Sequence, residues 1–155
     1  MTNDKIGPGG VTGGCQCGAV RYRLDVVPTG THICHCRMCQ KASGGPFIAS
    51  VLTSSFVVTR GALSTFKSSE IAERGFCAAC GTPLTYRSFP GNFVIVTIGS
   101  LDDPDAFAPH TQYGAESRVS WLATALAAPE TELSDWFKRK GIASVGNRQH
   151  PDRET

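Results

Sequence analysis

Apolar and polar residues alternate most clearly where Val20, Tyr22, Leu24 and Val26 are separated by Arg21, Arg23 and Asp25. That period of two predicts a half-buried strand, because successive side chains of an extended segment point to opposite faces. Shorter β-like runs follow at Pro46 to Leu52, Phe56 to Thr59, Ala62 to Phe66 and Pro83 to Arg87, bounded by small polar residues or glycine. Phe93 to Ile98 is an almost unbroken apolar run, which predicts a central strand. Helical signal is scarce. Arg37 to Ala42 has room for one or two turns before Ser43-Gly44-Gly45 stops it. Thr131 to Lys140 reads as the better helix, with Thr at its start, acids early, basics late and Gly141 just beyond. Val119 to Ala127 is a third candidate, ended by Pro129. From Ala143 onward the residues are polar and predict a mobile tail.

The pattern predicts a mainly β, antiparallel domain of short strands with a small helical C-terminal appendix. A chain of 155 residues buries about 68–70% of its unfolded surface, enough for one real core. Trp121, Phe47, Phe76 and Phe93 are expected in that core, while Phe107, Tyr113 and Trp121 are candidates to wall a pocket. No apolar run reaches the roughly 18 residues that span a bilayer, so no membrane partner is expected. Met1 to Gly10 is polar and Gly-rich, without the apolar stretch of a secretory signal, and a cytoplasmic location is expected.

Composition then changes the picture, because there are seven cysteines. An odd number cannot all pair, and clustered thiols in a reducing compartment read as metal ligands. They fall into Cys15-Gln-Cys17, Cys34-His-Cys36-Arg-Met-Cys39 and Cys77-Ala-Ala-Cys80-Gly81. Side chains two apart on an extended segment share a face, so a C-x-C pair can chelate one ion. The C-x-x-C-G group has the spacing of a zinc knuckle, with Gly81 permitting a left-handed exit. The thioredoxin βαβ setting that would favour a redox pair is missing.

A closed structural zinc takes four ligands, and a catalytic zinc takes three plus an open position. Seven cysteines divide that way. Locality makes the middle trio the open site and the outer pairs, 62 residues apart from Cys15 to Cys77, the closed one. Counting alone equally permits Cys15, Cys17, Cys34 and Cys36 around one ion. His35 lies between Cys34 and Cys36 and should point away from their face, whereas His32 or His110 could complete the trio. Seven thiolates on two zinc ions move the formal charge from +2 to −1, and the longest basic run is Lys138-Arg139-Lys140. Nucleic acid is therefore not an expected partner.

Gly14-Cys15-Gln-Cys17-Gly18-Ala-Val20-Arg-Tyr22, Cys34-His35-Cys36-Arg37-Met-Cys39-Gln-Lys-Ala-Ser43-Gly44 and Arg74-Gly-Phe76-Cys77-Ala-Ala-Cys80-Gly81-Thr-Pro-Leu84 together resemble the glutathione-dependent formaldehyde-activating enzyme family, relatives of centromere protein V-type proteins. Ile98-Gly99-Ser-Leu101-Asp102-Asp-Pro104 and Ser117-Arg118-Val-Ser-Trp121 resemble its closing motifs, and the likeness runs over about residues 11 to 123. The resemblance implies a β-tent of twisted antiparallel sheets. It implies a structural zinc on Cys15, Cys17, Cys77 and Cys80 and a catalytic zinc on Cys34, Cys36 and Cys39, which resolves the division that counting left open. A family-type domain over 11–128 and a helix with a flexible tail over 129–155 are expected.

The chemistry implied is that of a carbon–sulfur lyase, with a glutathione-like thiol and a small aldehyde such as formaldehyde forming an S-hydroxymethyl adduct. A soft open zinc site suits a thiol ligand and favours its thiolate. Arg37 and Lys41 could offset the charge of the site or hold a carboxylate, weighed against plain solvated surface. No stretch stands out as a glutathione pocket. The competing expectation is a non-catalytic binding module in which both metals only stabilise the fold.

Overall fold

A computed structural model of the chain describes residues 10–89, 91–153 and 155. The expectation drawn from Met1 to Gly10 concerns residues outside that description, Gly10 excepted. Among the described residues the chain runs through β1 (Val11–Gly14), β2 (Arg21–Leu24), β3 (Gly30–Cys34), α1 (Arg37–Ser43), β4 (Ile48–Thr53), β5 (Val57–Arg60) and β6 (Ser64–Ser69). It continues with β7 (Ala72–Phe76), β8 (Pro83–Ser88), β9 (Val94–Thr97), β10 (Thr111–Tyr113), α2 (Leu122–Leu126) and α3 (Leu133–Arg139). The fold is mainly β with two sheets, as the patterning predicts. A three-stranded sheet has the order β1-β2-β5, and a seven-stranded sheet the order β10-β3-β4-β9-β8-β7-β6. Pairings are antiparallel except for β10, which lies parallel to β3.

The core forms between the sheets. Tyr22 and Leu24 from β2 meet Val51 from β4, Leu84 from β8 and Val94 and Val96 from β9, all buried. Fully burying one such aliphatic side chain contributes about 1.5–3 kcal/mol, so this set makes a large contribution to stability. β9 lies between β4 and β8, in the central position its apolar run predicts. No helix among the described residues is long and apolar enough to cross a membrane.

The alternation at β2 is broken at two positions. Arg21, on the polar phase, is only 2% exposed, while Val26, on the apolar phase, is 48% exposed. Arg21 is drawn in because its guanidinium donates two hydrogen bonds to Asp102, at 2.8 and 2.5 Å, and Thr12 Oγ1 donates a third at 2.6 Å. Val26 lies past the last residue of the strand paired among the described residues. Phe93 and Trp121, expected in the core, are exposed instead; Phe93 precedes β9, and Trp121 sits at the start of α2, a helix with no buried residue. Phe47 and Phe76 are half-buried, and Phe107 joins the core.

α1 occupies the predicted span and ends at Gly44, whose φ of 69° supplies the left-handed cap. α3 lies inside Thr131 to Lys140 and α2 inside Val119 to Ala127. Residues 142–151 take no regular secondary structure, but the His150 backbone N–H donates to the Gln16 carbonyl at 2.7 Å.

Candidate metal centres and the adjoining cavity

The outer four cysteines lie at two tight turns. The first follows β1, where the Cys15 N–H donates to the Val20 carbonyl at 2.9 Å and the Gly18 N–H to the Cys15 carbonyl at 3.0 Å. The second links β7 to β8, where the Gly81 N–H donates to the Cys77 carbonyl at 2.8 Å. Gly81 holds φ of 77°, the left-handed exit the sequence predicts. The Gln16 N–H bridges the turns by donating to Thr82 Oγ1 at 3.1 Å. The Cys15, Cys17, Cys77 and Cys80 sulfurs all lie within 4.8 Å of one another, with Cys15–Cys17 at 3.6 Å and Cys17–Cys77 at 3.9 Å. A tetrahedron built on Zn–S bonds of about 2.3 Å has edges of about 3.8 Å. A disulfide needs about 2.05 Å, and all seven cysteines are free. The donor set fits a metal ion.

The thiol energetics of this set point the same way. Burial pushes the Cys80 thiol up, but the Thr82 hydroxyl and backbone N–H groups overcome it and bring the group down to about 6. Cys17, where a backbone bond pulls down against thiol neighbours that push up, goes to about 11. Cys77 is raised as well, chiefly by burial, so the group pulls its thiols in opposite directions, a crowding that a divalent cation would relieve.

The middle trio is built at the junction of β3 and α1. Cys34 ends the strand, Cys36 is the N-cap and Cys39 lies in the first turn, so strand and helix converge on one point. Their sulfurs also lie within 4.8 Å of one another. Burial pushes Cys34 up to about 12. Burial pushes Cys36 up, but the N–H groups of Cys39 and Met38 and the thiols of Cys34 and Cys39 together bring it below its ordinary value. His35 points away, as its place between Cys34 and Cys36 predicts; it is fully buried, with Nε2 3.0 Å from Gln112 Oε1 and its ring edge-on to Phe47. Gly114, at φ of 66°, passes so close that a Cβ there would stand 2.8 Å from the Cys36 backbone nitrogen.

The trio borders a cavity of about 410 Å³. Its floor is one face of the large sheet. Register pairs Leu52 with Ile95, Ile95 with Tyr86 and Tyr86 with Arg74, a single row across four strands. Neighbouring rows set His32 opposite Ser50 and Cys34 opposite Ile48. Period two sends Val51 and Val96 to the other face and into the core, which is why one sheet serves both. Tyr113 lines the cavity, whereas Phe107 and Trp121 are not among its lining residues.

Arg74 is the cation at this site. Its Nη2 donates to Cys39 Sγ at 3.5 Å, and its guanidinium lies over the Tyr86 ring, 5.0 Å from the centroid. Neither Arg37 nor Lys41 lines the cavity; both are exposed, and Arg37 hydrogen-bonds Gln40 Oε1. Sequence reading overlooked the role of Arg74, since only the register of β7 against β8 aims it at the trio. His32 and His110 line the cavity, but neither nitrogen-bearing ring joins the three-sulfur group.

The sequence pattern of a family described as glutathione-dependent formaldehyde-activating enzyme matches residues 10–117. A Halomonas elongata protein with the provisional name glutathione-dependent formaldehyde-activating enzyme is 26% identical over 150 residues, covering 84% of this chain and 96% of that protein. An uncharacterised lyase of Schizosaccharomyces pombe is 32% identical over 75 residues, 48% of this chain and 55% of its own length. A crystal structure of a Rhodobacter sphaeroides protein superposes with a TM-score of 0.52 at 23% identity, over 65% of this chain and 98% of that one, a likeness of fold.

Proposed function

The chain belongs to the glutathione-dependent formaldehyde-activating enzyme family, and from that premise we propose that it is a zinc-dependent carbon–sulfur lyase acting on the thiol adduct of an aldehyde. The observation that carries this reading is the placement of three convergent sulfurs at the edge of a cavity, with a guanidinium beside them. Cys15, Cys17, Cys77 and Cys80 would hold a structural zinc, closed on four sides. Cys34, Cys36 and Cys39 would hold the catalytic one, with a position left for substrate. A zinc there supplies Lewis acidity that keeps a substrate thiol as its thiolate at neutral pH.

In the synthetic direction the thiolate sulfur forms a bond to the aldehyde carbon. The carbonyl π pair moves to oxygen, which takes the proton the thiol gave up. The lyase direction reverses each step, so atoms and electrons balance without a redox partner. The protein's own groups supply the setting. The sheet face holds both reactants within one enclosure and lowers the entropic cost of meeting. Leu52, Ile95 and Ile48 keep water from the carbonyl. Arg74 offsets the negative charge of three thiolates and a substrate sulfur.

The test incubates zinc-loaded protein with glutathione and formaldehyde and follows the S-hydroxymethyl adduct by NMR. Adduct formation above the uncatalysed rate, lost in Cys39→Ser, is expected. A rate equal to background with every thiol and aldehyde tried would remove the catalytic reading and leave the binding module.

A further inference from the structure

We propose that the cavity beside Cys34, Cys36 and Cys39 takes a thiol–aldehyde pair with an apolar body, an aryl or branched alkyl group, in preference to the charged peptide glutathione; this rests on the reading of the site as a thiol–aldehyde centre. Size is the first argument. Formaldehyde has two heavy atoms, and a water's share of liquid volume is about 30 Å³. A cavity of about 410 Å³ is several times what so small a molecule needs, and it falls within the roughly 300–1,000 Å³ of sites that enclose whole organic ligands. The enclosure is shaped for whatever the sulfur or the carbonyl is attached to.

The second argument is the chemistry of the wall. The row Leu52, Ile95 and Tyr86 runs across three adjacent strands, and Met38 and Ile48 flank the sulfurs. Leu52 and Ile95 are only half-buried, so their apolar surface is open to an occupant. Burying such surface is what binds an aryl or alkyl group.

Charge is the third. Glutathione carries two carboxylates and an ammonium at neutral pH, and each needs a partner when it leaves water. Among the described residues, the only Lys or Arg lining the cavity is Arg74, already engaged by Cys39 Sγ and the Tyr86 ring, and no Asp or Glu lines it. The imidazoles do not fill the gap. His110 has Nδ1 at 3.0 Å from Thr111 Oγ1 and accepts from the Thr31 N–H at 3.4 Å, and His32 packs edge-on to Tyr113. A three-thiolate zinc site adds negative charge, which further disfavours a carboxylate.

The experiment uses full-length, zinc-loaded protein with ¹³C-labelled methyl groups. Phenylmethanethiol and glutathione are titrated separately while the methyl signals of Leu52, Ile95, Ile48 and Met38 are followed. Phenylmethanethiol is expected to saturate the shifts at a concentration at least tenfold below that of glutathione. Leu52→Lys and Ile95→Lys, on different strands, are each expected to shrink or reverse that ratio in whichever variant keeps the wild-type circular dichroism. Equal or tighter saturation by glutathione overturns the inference, as does the absence of shifts with either thiol. Adduct formation from each thiol and benzaldehyde or formaldehyde is measured in parallel. A protein that prefers phenylmethanethiol at these methyls but forms no adduct sinks the lyase reading alone; one that makes the glutathione–formaldehyde adduct fastest sinks the preference alone.

Discussion

Asp102 accepts two hydrogen bonds from Arg21 and one from Thr12, and it ties the segment after β9 to the small sheet. The side chains are 3% exposed for Arg21 and 11% for Asp102. Removing one partner of so buried a pair costs about 3–5 kcal/mol. Asp102→Ala is therefore expected to lower the unfolding free energy by about that much, read from urea denaturation. Burial pushes the Asp102 carboxyl up, but the Arg21 and Thr12 hydrogen bonds and the Arg21 charge pull it further down, and it lies below its ordinary value. A group lowered in the folded state stabilises above its unfolded pKa, near 4, and loses that contribution as pH falls through the folded value. Asp102→Asn should accordingly flatten the acid limb of stability below about pH 4. At Arg74, replacement by Gln is expected to cut kcat/KM about tenfold, or about 1.4 kcal/mol, with metal content unchanged. Arg74→Lys should restore part of it, measured on the same zinc-loaded preparations.

Two turns and one strand–helix junction carry all the cysteines, and the two kinds of element should fail differently. Metal binding to a structural site is worth about 10–16 kcal/mol apparent, as much as the whole stability of about 5–15 kcal/mol of an ordinary domain. Cys77→Ser is expected to unfold the protein, whereas Cys39→Ser should keep the wild-type circular dichroism and lose one metal equivalent by elemental analysis. Gly81→Ala isolates the turn itself. A Cβ there meets nothing within 4 Å, so only the left-handed backbone penalty of about 1–2 kcal/mol remains, visible as a shift in the urea midpoint. The knuckles, α1 and the central β9 are legible in the sequence because local spacing and periodicity encode them. The strands β1, β3, β7 and β10 escape such reading. β3 has no buried residue and β1 carries two glycines, so neither alternates in a way that periodicity detects. The sulfur groupings are local, but the cavity wall is made by cross-strand register, which no single segment records.

At the scale of the molecule, the strand pairings among the described residues are antiparallel with one exception. β10 returns to lie parallel to β3, setting Thr111 beside His32 and Tyr113 beside Cys34. The His35 N–H donates to the Tyr113 carbonyl at 2.9 Å, which closes that side of the trio. A parallel edge strand recruited from so far along the chain is entropically costly and late to form. During synthesis, then, the three inner thiols leave the ribosome well before the segment that shelters them. A polypeptide that stalls short of Thr111 presents those thiols to oxidants and stray cations on an open sheet edge. Synthesis of Thr111–Tyr113, rather than the appearance of the three thiols, would then set the moment at which an ion held by them is sheltered.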